Sequence, residues 1–119
     1  MAMTDLTLYH NPRCSKSRSA LELLHARGLQ PTLIHYLDTP PSASELRELL
    51  HKLGYNARQL LRTGEELYQT LNLADAHLSE AALIDVMREN PRLIERPILI
   101  VGERAIVGRP PENILELLP

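Results

Sequence analysis

The stretch Tyr9-His10-Asn11-Pro12-Arg13-Cys14-Ser15-Lys16-Ser17-Arg18 decides how the chain is read. Before it, Leu6-Thr7-Leu8-Tyr9 is a short apolar run of the kind that forms a strand. After it, Ser19-Ala20-Leu21-Glu22-Leu23-Leu24 has the make-up of a helix. Cys14, the only cysteine, therefore falls where a strand hands over to a helix N-terminus. Free backbone N–H groups and the positive end of the helix dipole gather there and favour an anion. Arg13, Lys16 and Arg18 add formal positive charge within four residues of the sulfur. A cysteine so placed is predicted to have a lowered pKa and to be a thiolate near neutral pH. The features that make a thiolate also hold an oxyanion, so the stretch reads as a nucleophile with a substrate site around it. A lone cysteine is often a small buried hydrophobe. The polar neighbours Arg13, Ser15, Lys16 and Ser17 argue against that here.

The totals bound the answer. A chain of 119 residues suffices for one domain with one core, residues 1–119, and is too short for two. With 44% apolar and 24% charged residues, the composition is that of an ordinary soluble protein. A formal net charge of −2 gives no reason to expect nucleic-acid binding. One cysteine makes no internal disulfide, which fits a reducing compartment. The start, Met1-Ala2-Met3-Thr4-Asp5, lacks the apolar core of a signal peptide, and no apolar run approaches membrane-spanning length. The expectation is a cytoplasmic monomer, away from membrane and nucleic acid. His25, His35, His51 and His77 are scattered without metal-ligand spacing, so no metal and no bound cofactor is expected.

Along the chain, Gly28 supplies a C-cap and Pro31–Leu37 reads as a second strand. So short a β-α-β crossover places its strands parallel and right-handed. After Asp38-Thr39-Pro40-Pro41, Ser42 and Glu45 form a capping-box signature, and Leu46, Leu49, Leu50 and Leu53 mark one helix face ending at Gly54. Asn56 and Gln59 repeat the signature for a short helix carrying Leu60 and Leu61, with Arg62 in its last turn. Leu67, Tyr68 and Leu71 suggest another short helix. Ser79 caps one with Leu83, Val86 and Met87 inward, stopped by Asn90-Pro91. Pro97–Val101 and Arg104–Val107 flank Gly102-Glu103 as a hairpin, and Pro110-Pro111 opens a final helix with Ile114, Leu115 and Leu118. The order is β-α-β, a block of helices, then β-β-α. Together with the placed cysteine, it predicts an α/β, thioredoxin-like fold: a small mixed sheet flanked by helices, with a helical insertion at about residues 42–92. Pro97 is expected to be the cis-proline that such folds set opposite the cysteine.

Four motifs then carry a family resemblance. Tyr9-His10-Asn11-Pro12-Arg13-Cys14, Leu60-Leu61-Arg62, Arg96-Pro97-Ile98 and Gly108-Arg109-Pro110 stand in the order and spacing of the glutaredoxin-dependent arsenate reductases, which the chain resembles over nearly its whole length. The resemblance implies Cys14 as nucleophile, His10 as a residue supporting its ionisation, and Arg62, Arg96 and Arg109 as an oxyanion clamp. Asn11, Ser15 and Ser17 are expected around the same substrate. It further implies arsenate as substrate, glutathione as co-substrate and glutaredoxin as partner. Just after the cysteine, Ser15-Lys16-Ser17-Arg18 departs from the best-known members and resembles a branch grouped with them by similarity.

Other readings of these residues stand beside that one. Arg62 near a helix C-terminus is favourable there for any cation. Arg96 and Arg109 precede prolines, which biases their backbones to extended conformations and is compatible with plain surface solvation. His10 either stabilises the thiolate or hydrogen-bonds the loop. Two rival functions are an Spx-like regulator that contacts RNA polymerase and a glutathione-dependent thiol oxidoreductase with another substrate. Many Spx proteins carry C-x-x-C, whereas Ser17 stands at that second position here.

Overall fold

The computed structural model describes residues 6–118, which divide into two compact units. One holds the residues up to Thr39 and from Arg96 onward, the other Pro40–Glu95. The helical insertion expected at about residues 42–92, inside one domain, falls within this second unit.

In the first unit, β1 (Leu6–Tyr9), β2 (Thr32–Ile34), β3 (Ile98–Val101) and β4 (Arg104–Val107) form one sheet in the order β2-β1-β3-β4. β1 runs parallel to β2 and antiparallel to β3, and β3 and β4 are an antiparallel hairpin. The turn uses Gly102 at φ 60°, a left-handed conformation that costs glycine little. Alternation within β1 sends Leu6 and Leu8 to one face, where they join Leu99 from β3, Ala20 and Leu24 from α1 (Ser15–Ala26), and Ile114 in a buried cluster. Fully burying side chains of this size contributes about 1.5–3 kcal/mol each, so this apolar cluster fixes α1, and with it the residue at its N-cap, against the sheet.

β2 is shorter than the seven-residue run predicted. After Ile34 the His35 carbonyl accepts the N–H groups of Asp38 and Thr39, each at 2.9 Å, and the chain turns. Tyr36 is thereby fully buried and stacks on Tyr9, with ring centroids 6.2 Å apart. The last helix, Pro111–Leu117, is 3₁₀. With three residues per turn, positions i and i+3 align, which puts Pro111 and Ile114, both buried, on one edge.

The second unit is helical: α2 (Ala43–Leu53), α3 (Ala57–Leu60), α4 (Glu66–Thr70), α5 (Glu80–Glu89) and a 3₁₀ turn at Pro91–Leu93. Both capping boxes form as their spacing predicts, Ser42 with Glu45 and Asn56 with Gln59, and Ser79 accepts the N–H of Ala82. Leu46, Leu49 and Leu50 of α2 are buried, as are Leu83, Ile84 and Met87 of α5, while Val86 is only half-buried. α3 ends at Leu60, two residues short of Arg62. Leu61 leaves it extended and bridges to Ile94, with Arg62 N–H on the Leu93 carbonyl at 2.8 Å and Glu95 N–H on the Leu60 carbonyl at 3.0 Å. Arg62 therefore lies past the helix, not in its last turn. Among the described residues no helix is long and apolar enough to cross a membrane.

Candidate active site

Cys14 is the N-cap residue of α1, with φ −93° and ψ 123°. The loop before it is built by its own polar groups. Asn11 accepts the Arg13 N–H on its side-chain oxygen at 3.0 Å, and its carbonyl accepts the Cys14 N–H at 2.9 Å, closing a turn that aims the chain into the helix. Arg18 reaches back from the first turn of α1 to the Pro12 carbonyl at 2.9 Å.

Ser17 ties this loop to the helix. It is fully buried, and its Oγ accepts the Asn11 N–H at 3.0 Å and lies 3.0 Å from His10 Nδ1. Burial lowers the pKa of His10, and the charges of His35 and Arg18 lower it further. The shift favours the neutral imidazole, whose Nδ1 faces the Ser17 hydroxyl. His10 meets the cysteine loop at Ser17.

The thiol is half-buried. Burial pushes its pKa up, but four effects outweigh it and leave it below the usual thiol value: the Ser17 N–H, a hydrogen bond from the Arg96 side chain, the Lys16 N–H and the Arg96 charge. Cys14 makes no conventional side-chain cap; the helix acts on the large sulfur through the direction of its first N–H groups. Proximity in sequence assigns the charge effect to Arg13, Lys16 and Arg18. Those side chains are exposed, where water and salt screen them, and the cation that bears on the sulfur is Arg96.

Arg96 reaches the site because it sits at the mouth of β3. The Arg96–Pro97 peptide bond is cis, as expected, and so is Arg109–Pro110. Arg109 donates from Nη1 to the Arg96 carbonyl at 3.1 Å, and its own carbonyl accepts from Asn113. Gly108 allows this approach: a Cβ there would come within 3.0 Å of both the Pro97 ring and Ile114. Arg109 thus braces the backbone that presents Arg96.

Of the residues singled out in the sequence, His10, Asn11, Cys14, Ser15, Ser17, Arg96 and Arg109 fall in one unit, and Arg62 in the other. The polar side-chain atoms of Asn11 and Ser17 described above are engaged within the loop, whereas Ser15 is exposed at the start of α1. Arg62 donates from Nη1 to Glu65 at 2.9 Å. A cleft of about 330 Å³ opens beside the loop, between His10–Arg13 and the turn that carries His35, Leu37 and Asp38. Among the described residues no cluster of His, Cys, Asp or Glu has the make-up of a metal site.

Residues 9–117 match the ArsC family from end to end of this arrangement, including the loop, the helical unit and both arginine–proline pairs. The chain belongs to the ArsC family. This ArsC-family chain is 54% identical to the uncharacterized protein YfgD of Escherichia coli over 115 residues, covering 96% of this chain and 97% of that one. It is 49% identical to the arsenate reductase of Haemophilus influenzae, covering 96% of this chain and 99% of that one. Among solved structures, the arsenate reductase from Vibrio cholerae superposes with a TM-score of 0.95 at 50% identity, covering 99% of this chain and all of that one. The thioredoxin-like fold expected from the sequence is the fold of this ArsC-family chain.

Proposed function

We propose that this chain is an arsenate reductase that uses glutathione and glutaredoxin. The observation that carries the reading is a thiol with a lowered pKa at a helix N-cap, with the Arg96 side chain on its sulfur. The names of the relatives point to the same substrate.

The Cys14 thiolate attacks As(V), and an arsenate oxygen leaves as water, giving a thiol–arsenate adduct. Reduction of As(V) to As(III) takes two electrons, which two thiols supply by joining as a disulfide. Cys14 is the only cysteine, so the second thiol comes from outside: glutathione attacks, arsenite is released, and glutaredoxin removes the glutathione left on Cys14. Arg62, Arg96 and Arg109 hold the oxyanion, because guanidinium forks match a tetrahedral dianion better than ammonium groups do. The N–H groups at the start of α1 stabilise charge developing on the oxygens. His10 and Ser17 keep the loop in register, with Asn11 and Ser15 lining it. The protein works as a cytoplasmic monomer with no bound cofactor. The test is arsenite production from arsenate with glutathione and glutaredoxin. Turnover that stops when any one of these is omitted supports the reading; no arsenite from the complete mixture contradicts it.

A further inference from the structure

Glu65 lies where no catalytic motif points, yet it joins two cations. Its Oε2 accepts from Arg62 Nη1 at 2.9 Å and its Oε1 from Arg92 Nη2 at 3.1 Å. Arg62 and Glu65 expose only 19% and 16% of their side chains, against 67% for Arg92. The backbone is tied in the same place, since Arg62 N–H bonds the Leu93 carbonyl and the Arg62 carbonyl accepts the Glu65 N–H at 3.3 Å. Arg62 is thus held by both its main chain and its side chain, and its partner is held by a third residue.

We propose that Glu65, backed by Arg92, is the positioning residue that presents Arg62 to the oxyanion; this rests on Arg62 being an oxyanion ligand. A carboxylate beside an anion receptor would ordinarily cancel the receptor's charge. Here Arg92 balances Glu65, so the three groups together keep the one positive charge that Arg62 offers a ligand. Arg62 bonds Glu65 through Nη1, one of the several N–H donors that a guanidinium carries. An arginine already held in place loses less side-chain entropy when it binds.

The test is a sulfate and arsenate titration of the full chain carrying Glu65→Ala, Glu65→Gln, Arg92→Gln or Arg62→Gln, with thermal unfolding of each. Immobilising one long side chain accounts for about two- to tenfold in affinity. Glu65→Ala is expected to weaken binding by that factor and to raise KM for arsenate by the same factor with kcat retained. Glu65→Gln, which keeps an acceptor for Arg62, is expected to recover most of the loss. Arg92→Gln leaves Glu65 to cancel the Arg62 charge and is expected to weaken binding too. A Glu65→Ala protein with a lower unfolding midpoint but unchanged or tighter sulfate binding would overturn the proposal, making Glu65 a structural ion pair or a competitor. If Arg62→Gln binds sulfate like the wild type, the oxyanion role of Arg62 falls, and the proposal with it. Loss in Arg62→Gln without loss in Glu65→Ala overturns the positioning role alone.

Discussion

The Cys14 loop and the Arg62 segment are both short, irregular and rich in polar side chains, yet they are held in opposite ways. The bonds that shape the loop are local: Ser17 to His10 and Asn11, Asn11 to Arg13, Arg18 to Pro12. The Arg62 segment is held by partners far along the chain, with Leu61 bridged to Ile94 and Glu65 paired to Arg92, 27 residues away. A locally built loop keeps its shape wherever its helix is anchored. A segment built from distant partners depends on the whole helical unit being folded. Substitutions in the first region are therefore expected to act on chemistry with a stability cost limited to the bond removed, and those in the second on chemistry and on the stability of the whole helical unit.

The largest effect comes from the sulfur itself. Cys14→Ser should abolish arsenate turnover and leave the unfolding midpoint near that of the wild type at neutral pH, because the thiol is half-buried at a helix start and supports little packing. Retained turnover would remove Cys14 from the mechanism.

Next come the arginines. Replacing Arg62, Arg96 or Arg109 by Lys keeps the charge and loses the fork. Each should cost about ten- to a hundredfold in arsenate kcat/KM, the equivalent of one charge-assisted contact of roughly 1.5–3 kcal/mol. Arg96→Lys should also raise the thiol pKa, since Arg96 hydrogen-bonds the sulfur. Wild-type kinetics in all three variants would leave them structural residues with no part in holding the oxyanion.

Smaller again is Ser17→Ala. It leaves the Asn11 N–H without its acceptor in a buried place, which costs about 1–3 kcal/mol. It should lower the denaturation midpoint and raise the thiol pKa together. A change in stability alone would separate the Ser17 hydroxyl from the site. The smallest effect is expected from Ser42→Ala, which removes half of the α2 capping box. It should cost about 1 kcal/mol of stability with arsenate kinetics unchanged.

The same contrast explains what was legible in the sequence. Caps, the hairpin and the strand-to-helix passage at Cys14 rest on residues a few positions apart, so spacing alone predicted them. The early end of α3 did not show, because Asn56–Gln59 starts that helix locally while Ile94, on the far side of α5, takes Leu61 out of it. β2 stopped early because burial of Tyr36 against Tyr9 overrode a run that reads as extended. The buried hydroxyl of Ser17 was hidden as well: a serine beside a reactive cysteine reads as a substrate contact, and only the position of His10 turns it inward. Charge was misassigned for the same reason. Arg13, Lys16 and Arg18 are near in sequence but face water, whereas Arg96 comes from another strand. The Arg96-Pro97 motif pointed to it through family resemblance, not through proximity.

The central claim is that the fold lowers the pKa of Cys14, and titrating the thiol tests that most directly. The rate of Cys14 alkylation against pH should rise through a midpoint below the free-thiol value of about 8.5 and level off above it. Stability should follow the same sign. With the folded pKa below the unfolded one, the native state gains stability that is complete above about 8.5 and is lost as pH falls through the folded pKa, and Cys14→Ser should lack that slope. A midpoint at or above 8.5 would contradict the account, leaving Cys14 at a helix start that does nothing for its sulfur.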